Sequence, residues 1–294
     1  MDEKHVGLLG ATSLVGQCLL RLLGTDGWRV TAFSRRHIIS DDTGVRWLQL
    51  ESPDKAFVDT AKPHENIFFW ICVAPLWVLP DYFPMLEKYG ARRVIAVSST
   101  SRFTKGNSSS EEEKRTASRL TEAETRLAQW TKGKDMTWLV LRPTLIYGLG
   151  LDKNISEISR LVCRFGFFPL LGRAKGLRQP VHAEDVATVC LSALKKADVA
   201  NRSYNLSGGE TLTYREMVIR IFTALGRRPK LVEVPLWLFK LTTVLLRCFP
   251  RYRHWTVQMA ERMDTDLVFD HADAVRDLNY SPGKFQLDSK DLPH

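Results

Sequence analysis

Three stretches of this chain, "IFFWICV" (67–73), "RVIAVSS" (93–99) and "TWLVLRP" (137–143), carry apolar residues in continuous runs rather than in alternation. A strand with one wet face alternates polar and apolar side chains, whereas a strand covered on both faces does not. Strands are expected at 5–9, 29–34, 45–50, 66–73, 93–98 and 137–142. Between them, apolar residues recur at helical spacing over 14–23, 53–61, 79–89 and 111–131. Strands alternating with helices in this way predict an α/β fold, a doubly wound parallel sheet with helices on both faces. Ligands of such a sheet collect at the carboxyl ends of its strands. After about residue 148 the alternation weakens. Residues 1–148 are therefore expected to form the sheet domain, and 149–294 mostly a smaller mixed C-terminal lobe, with some segments returning to the core.

The first strand runs into "GLLGATSLVGQCLLRLL" (7–23), which places Gly7, Gly10 and Gly16 ahead of an apolar-periodic helix. Strand, glycine turn and helix together aim free backbone N–H groups at a phosphate. Gly10 and Gly16 would let the backbone approach a pyrophosphate and pack helix on strand. Ser13 stands where a further glycine is expected, and its hydroxyl can itself donate to a phosphate. Gly7, Gly10, Thr12, Ser13, Leu14, Val15 and Gly16 are thus candidate contacts for a dinucleotide. About 20 residues on, at the end of the second strand, such folds often place an acid for the ribose hydroxyls. This chain has Ser34, Arg35 and Arg36 there. A carboxylate repels a 2′-phosphate, while serine and arginine bind it through charge-assisted hydrogen bonds. The expectation is NADP(H) preferred over NAD(H), set against a merely solvated basic strand end.

The formal charge of +9 suggests anionic partners. Cys18, Cys72, Cys163, Cys190 and Cys248 are scattered without paired spacing, so buried reduced thiols are expected rather than disulfides or a zinc site. No uncharged run approaches the ~18 residues of a membrane span. The polar start of the chain leads straight into a strand, and a cytoplasmic protein is expected.

Five landmarks, "GATSLVG" (10–16), "VIAVSST" (94–100), "LRPTLIYG" (141–148), "QPVHAEDVA" (179–187) and "YNLSGGETLTYREM" (204–217), stand in order along the chain. They resemble the extended short-chain dehydrogenase/reductase superfamily, which includes the NAD-dependent epimerase/dehydratases. The resemblance implies a Rossmann domain that binds NAD(P) and a smaller lobe closing over a substrate, often a nucleotide sugar. It also implies cofactor contacts at Ala74, Pro75 and Ser98, with Pro143 and Thr144 near the nicotinamide carboxamide. Members usually carry a Tyr-x-x-x-Lys pair on the helix after the fifth strand, whose phenolate exchanges a proton with the substrate, helped by a Ser/Thr. Ser99 retains the Ser/Thr, but no tyrosine occurs between Tyr89 and Tyr147. Arg119 stands near the lysine position in "EEKRTASRLTEAETRL". Together with the altered turn, this resembles the atypical branch, which includes reductases with other proton donors as well as redox sensors and accessory subunits.

In the second half, Tyr147 is a candidate proton donor or else a half-buried cleft residue. By resemblance Asn154 and Arg178 contact the substrate or its phosphates; the basic stretch 160–178 reads alternatively as a solvated face. Basic residues among aromatics also suit nucleic acid, but no nucleic-acid motif accompanies them. His182, Glu184 and Asp185 read as the start of a helix at 183–193 rather than a metal site. The apolar and basic stretch 235–254 reads either as a helix packed on the lobe or as a peripheral membrane contact. The leading expectation is an NADP(H)-binding oxidoreductase or epimerase-like enzyme for a small or phosphorylated substrate. The alternative is a non-catalytic NAD(P)-binding sensor or an accessory protein of a membrane-associated complex. Oligomeric state is left open.

Overall fold

The computed structural model describes residues 4–39, 44–50, 65–106, 108, 110–235 and 262–293. The expected helix at 53–61 and nearly all of the 235–254 segment lie outside these residues. β1 (His5–Leu9), α1 (Leu14–Thr25), β2 (Arg29–Ser34), β3 (Val45–Gln49) and β4 (Phe69–Cys72) come first. A 3-10 segment (Leu76–Tyr82) runs into α2 (Phe83–Lys88), followed by β5 (Arg93–Val97), α3 (Ser101–Thr104), α4 (Glu111–Thr131) and β6 (Thr137–Pro143). Then come β7 (Ile146–Tyr147), α5 (Ile155–Phe165), β8 (Phe168–Leu171), β9 (Leu177–Arg178), β10 (Val181–His182), α6 (Ala183–Lys195) and β11 (Arg202–Leu206). β12 (Leu212–Thr213), α7 (Tyr214–Ala224), β13 (Leu231–Val234) and α8 (Ala272–Leu278) follow.

Seven strands form one sheet in the order β11-β6-β5-β4-β1-β2-β3, and every pairing is parallel. The order reverses between β1 and β4, which opens a crevice at their carboxyl ends. Leu9 is level with both Phe33 and Cys72, and Cys72 with Ala96, so the strand ends meet at one height. One face is covered by α1, α6 and α8 through Leu19, Leu23, Val186 and Leu278; the other by α2 and α4 through Leu86, Leu120 and Leu127. A third apolar cluster, including Ile158, Phe168, Ile221 and Phe222, forms the C-terminal lobe. β11, although it follows the lobe's first elements, returns to the sheet edge beside β6.

Two departures from the sequence reading have local causes. The expected helix at 79–89 is split at Tyr82, because Pro80 and Pro84 remove N–H donors from that stretch. Cys163 is exposed, not buried, while Cys18, Cys72 and Cys190 are buried and unpaired.

Gly7 also changes role. It lies inside β1 rather than in the turn, and a Cβ there would stand 2.6 Å from the Trp70 ring. Its missing side chain makes room for that indole, so Gly7 is a packing residue.

Candidate functional site

The turn between β1 and α1 is built as a cradle. Gly10 has φ +88°, and a Cβ on it would meet the Ala74 amide at 2.4 Å. A Cβ on Gly16 would meet the Gly10 carbonyl at 2.3 Å. Both positions therefore require glycine. Ser13 caps α1, its Oγ accepting from the Gly16 amide at 3.1 Å. That bond uses a lone pair and leaves the hydroxyl proton free to donate. The Leu14 and Val15 amides, in the first turn of α1, precede the first donor of the helical ladder. Ser13, Leu14 and Val15 border a cavity of about 410 Å³ whose other walls include Ala74, Pro75, Ser98, Ser99 and Ile146. Thr12 is exposed at the rim of the turn. A helix N-terminus that opens onto a cavity across close-packed glycines suits a dinucleotide pyrophosphate.

At the end of β2, the Ser34 hydroxyl accepts from the Arg36 amide at 3.1 Å, and Arg35 and Arg36 are exposed. Neither guanidinium has an acidic partner among the described residues.

The floor of the site is a buried ion cluster. Glu124 of α4 accepts from Arg142 Nη2 at 2.6 Å and from the Ser98 hydroxyl at 2.6 Å, and also pairs with Arg102. Glu124 is 6% exposed. Ser98 thus borders the cavity while its proton is committed to Glu124. Burying Glu124 fixes the rotation of α4 and decides which side chains reach the cavity. Four and eight residues before Glu124, Leu120 and Thr116 lie on the same helix stripe and line it. Arg119 is exposed on the outer side, in a surface depression with Trp77, Pro80 and Arg126. It does not stand where the lysine was expected. Thr116 and Leu120, which the sequence reading missed, occupy cavity-facing positions four apart. The signal for them was Glu124, whose burial phases the helix.

A second cavity of about 440 Å³ adjoins the first across Leu14, Ser99, Ser101 and Ile146. Its walls include Lys105, Lys153, Arg178, Arg262 and the carboxylate of Asp152, and Glu113 pairs with Lys105 at 3.8 Å and with Arg262 at 2.6 Å. Asp152 is spent on capping, accepting from the Asn154, Ile155 and Ser156 amides at 2.8, 2.5 and 3.2 Å. Asn154 sits at that helix start and lines the cavity. Arg178 lines it too, but it is 4% exposed and donates to the carbonyls of Leu177, Thr265 and Arg262. Carbonyls hold its position without cancelling its charge, and burial lowers its pKa. Arg178 is therefore anchored to the 262–267 segment, a role that its expected diphosphate contact did not include. Thr144 lines the same cavity and donates to the Gln179 carbonyl. Pro143 borders neither cavity; its carbonyl accepts from the Thr100 amide at 3.1 Å.

Tyr147 is not a cleft residue. It is 2% exposed, donates to the Gln286 carbonyl at 3.1 Å and packs edge-on against His182 and Phe285. Burial pushes its phenol up to about 12. The expected proton-donor role fails on access. His182 caps α6 through Nδ1, with the Glu184 amide at 3.2 Å, while Nε2 stands 3.2 Å from Asp291. Among the described residues, no group of His, Cys, Asp and Glu is arranged to hold a metal ion.

With this geometry in place, the NAD dependent epimerase/dehydratase family profile matches residues 82–207. That match spans less than half of the chain and marks this part as similar to the epimerase/dehydratase family. A UDP-glucose 4-epimerase of Vibrio cholerae is 28% identical over 120 residues, 41% of this chain and 37% of that protein. A ceramide reductase of Caulobacter vibrioides is 24% identical over 243 residues, 78% of this chain and 73% of that protein. The fold of UDP-glucose 4-epimerase from Thermotoga maritima superposes with a TM-score of 0.69 at 15% identity, covering 95% of this chain and 93% of that one. The match to the Vibrio relative spans well under half of that protein's length. The glycine cradle has the geometry to fit the nicotinamide dinucleotide that the family's description names.

Proposed function

We propose that this chain is an NADP(H)-dependent carbonyl reductase of the short-chain dehydrogenase/reductase kind, acting on a small anionic substrate. The observation that carries the reading is the shared wall: Ser99 and Ser101 border both the cradle cavity and the cation-lined cavity. A substrate held by Lys105, Lys153 and Arg178 would place its reacting carbon at that wall. Ser99 Oγ accepts from the Ser101 amide at 3.1 Å, which leaves the Ser99 proton to hydrogen-bond a carbonyl oxygen as it gains charge. The dinucleotide, when bound, supplies hydride. Leu120 offers no acidic proton, and the Thr116 hydroxyl is a far weaker acid than a phenol, so repeated proton exchange at a sugar hydroxyl has no carrier. Reduction asks less, because water can protonate an alkoxide held by Ser99. Arg35 and Arg36 support a 2′-phosphate on the cofactor.

Single-turnover oxidation of bound NADPH across a panel of carbonyl compounds with and without phosphate tests this. Oxidation with an anionic carbonyl, lost in Ser99→Ala, is expected. The apolar Leu120 also favours a second reading, a nucleotide-binding sensor or accessory protein. Tight NADPH binding with no oxidation by any carbonyl would establish that reading instead.

A further inference from the structure

One edge of the C-terminal lobe lies away from both cavities and has a composition that the site does not use. α5 ends at Gly166, whose φ is 73°, and the flanking Phe165 and Phe167 are 43% and 40% exposed. Their ring centroids lie 6.2 Å apart. β13 runs beside this turn: the Phe168 amide donates to the Lys230 carbonyl at 2.9 Å, and Val232 pairs with Pro169. Val232 is 47% exposed. Large apolar side chains this open, and this close together, are uncommon on a water-facing surface.

The same edge is basic. Arg160 and Arg164 on α5, with Arg228 and Lys230 ahead of β13, are all exposed, and none has an acidic partner among the described residues. Arg227 pins the two segments together, donating from Nη1 to the Val162 and Cys163 carbonyls at 3.0 and 3.1 Å. No acid occurs between Glu157 and Glu184, or between Glu216 and Glu233. Arg164 has a local account, at the carbonyl end of α5 and 5.1 Å from the Phe165 ring. The exposure of Phe167 and Val232 and the other three cations have none.

We propose that this edge docks on an anionic lipid surface. The phenyl rings and Val232 enter the boundary between headgroups and acyl chains, while the cations meet lipid phosphates and carboxylates. Nucleic acid fits less well, because aliphatic Val232 offers a base nothing to stack on.

The test is co-sedimentation of the full chain with vesicles of phosphatidylcholine alone or mixed with phosphatidylserine. Binding to the mixed vesicles only, loosened by salt, is expected. Phe165→Ser/Phe167→Ser and Arg160→Glu/Lys230→Glu should each weaken it about ten-fold. NADPH titration and circular dichroism should be unchanged in both, since these residues lie outside the cradle. No sedimentation of the wild type overturns the proposal. So does full binding by both double variants, which would move the contact to 236–254. Binding to duplex DNA or RNA without binding to vesicles overturns it in favour of nucleic acid.

Discussion

Arg142 at the end of β6 grips Glu124 of α4 with two nitrogens: Nη2 lies 2.6 Å from Oε2, and Nε lies 3.1 and 3.2 Å from the two oxygens. Arg102 and the Ser98 hydroxyl complete the ring around the same carboxylate. One acid thus joins a helix to two strand ends directly under the cleft. Removing one partner of a buried pair leaves the other charge uncompensated, at a cost of about 3–5 kcal/mol. Glu124→Ala is expected to lose that much in urea unfolding, and Glu124→Gln less, because it keeps the shape and one acceptor. Glu124→Ala should also weaken NADPH binding, because Ser98 on the cavity wall loses its anchor. A Glu124→Ala protein as stable as wild type would show that the cluster does not hold the floor.

The cradle makes a stricter demand. A methyl at Gly16 would need 2.3 Å from the Gly10 carbonyl, and one at Gly10 would need 2.4 Å from the Ala74 amide, at a φ that L-residues avoid. Backbone is the obstacle in both cases, so a rotamer change cannot relieve it. Gly16→Ala should raise the Kd for NADPH at least about ten-fold, equivalent to about 1.4 kcal/mol. Isothermal titration measures it. Gly24→Ala, where nothing lies within 4 Å, is the control and should leave binding unchanged.

Much of this was legible in the sequence. The uninterrupted apolar runs identified the parallel sheet, and α4 spans Glu111–Thr131 as its periodicity required. Ser13 and Gly16 are constrained locally, by the cap and by the Gly10 carbonyl, and Gly10 by its own φ, although the Ala74 amide that also crowds Gly10 comes from a distant strand end. What failed was long-range. Arg119 resembled the missing lysine by its neighbours, but helix phase is set by Glu124 meeting Arg142 on another element. Tyr147 looked available until the chain at 285–286, some 139 residues later, closed over its hydroxyl. Neither contact leaves a mark in a window of neighbouring residues.

Cofactor choice follows from the β2 end. Losing one charge-assisted contact to a 2′-phosphate costs about 1.5–3 kcal/mol, or roughly ten- to a hundredfold in Kd. Wild type is expected to bind NADPH more tightly than NADH, and Arg35→Asp to narrow or reverse the difference. Fluorescence titration of both cofactors decides it; equal affinities in the wild type would remove the role given to Arg35 and Arg36.

Tyr147 gives a pH dependence with a definite sign. Its phenol is raised from 10.0 to about 12, chiefly by burial, so the folded state holds that proton more tightly than the unfolded state. The resulting stability is complete below pH 10 and is lost as pH rises from about 10 to 12. Tyr147→Phe should lessen the slope of the unfolding free energy over that window, with Tyr204, Tyr214 and Tyr280, also raised by burial, carrying the rest. At neutral pH it should cost about 0.5–1.5 kcal/mol for the lost bond to Gln286. Steps of denaturant titration across the alkaline range would reveal an unchanged slope if the phenol were already ionised in the fold.

The same variant separates the chemistry from the packing. Tyr147 lies outside both cavities, so Tyr147→Phe is expected to leave single-turnover NADPH oxidation within about two-fold of wild type, since no proton passes through its phenol. Ser99 stands on the wall shared by the cavities, and Ser99→Ala should slow that step about 10²-fold, the loss typical of one oxyanion donor. Thr116→Val tests the remaining hydroxyl on the stripe and should have a smaller effect, because its proton is held by a weak acid. With Leu120 in the cleft and no phenol, epimerisation of a nucleotide sugar should be absent or slower than carbonyl reduction by at least about 10²-fold. Stopped-flow absorbance of NADPH and product analysis of incubated UDP-sugars measure the two reactions side by side. Rapid epimerisation that survives both Ser99→Ala and Thr116→Val would place the proton carrier elsewhere in the chain and overturn the reductase reading.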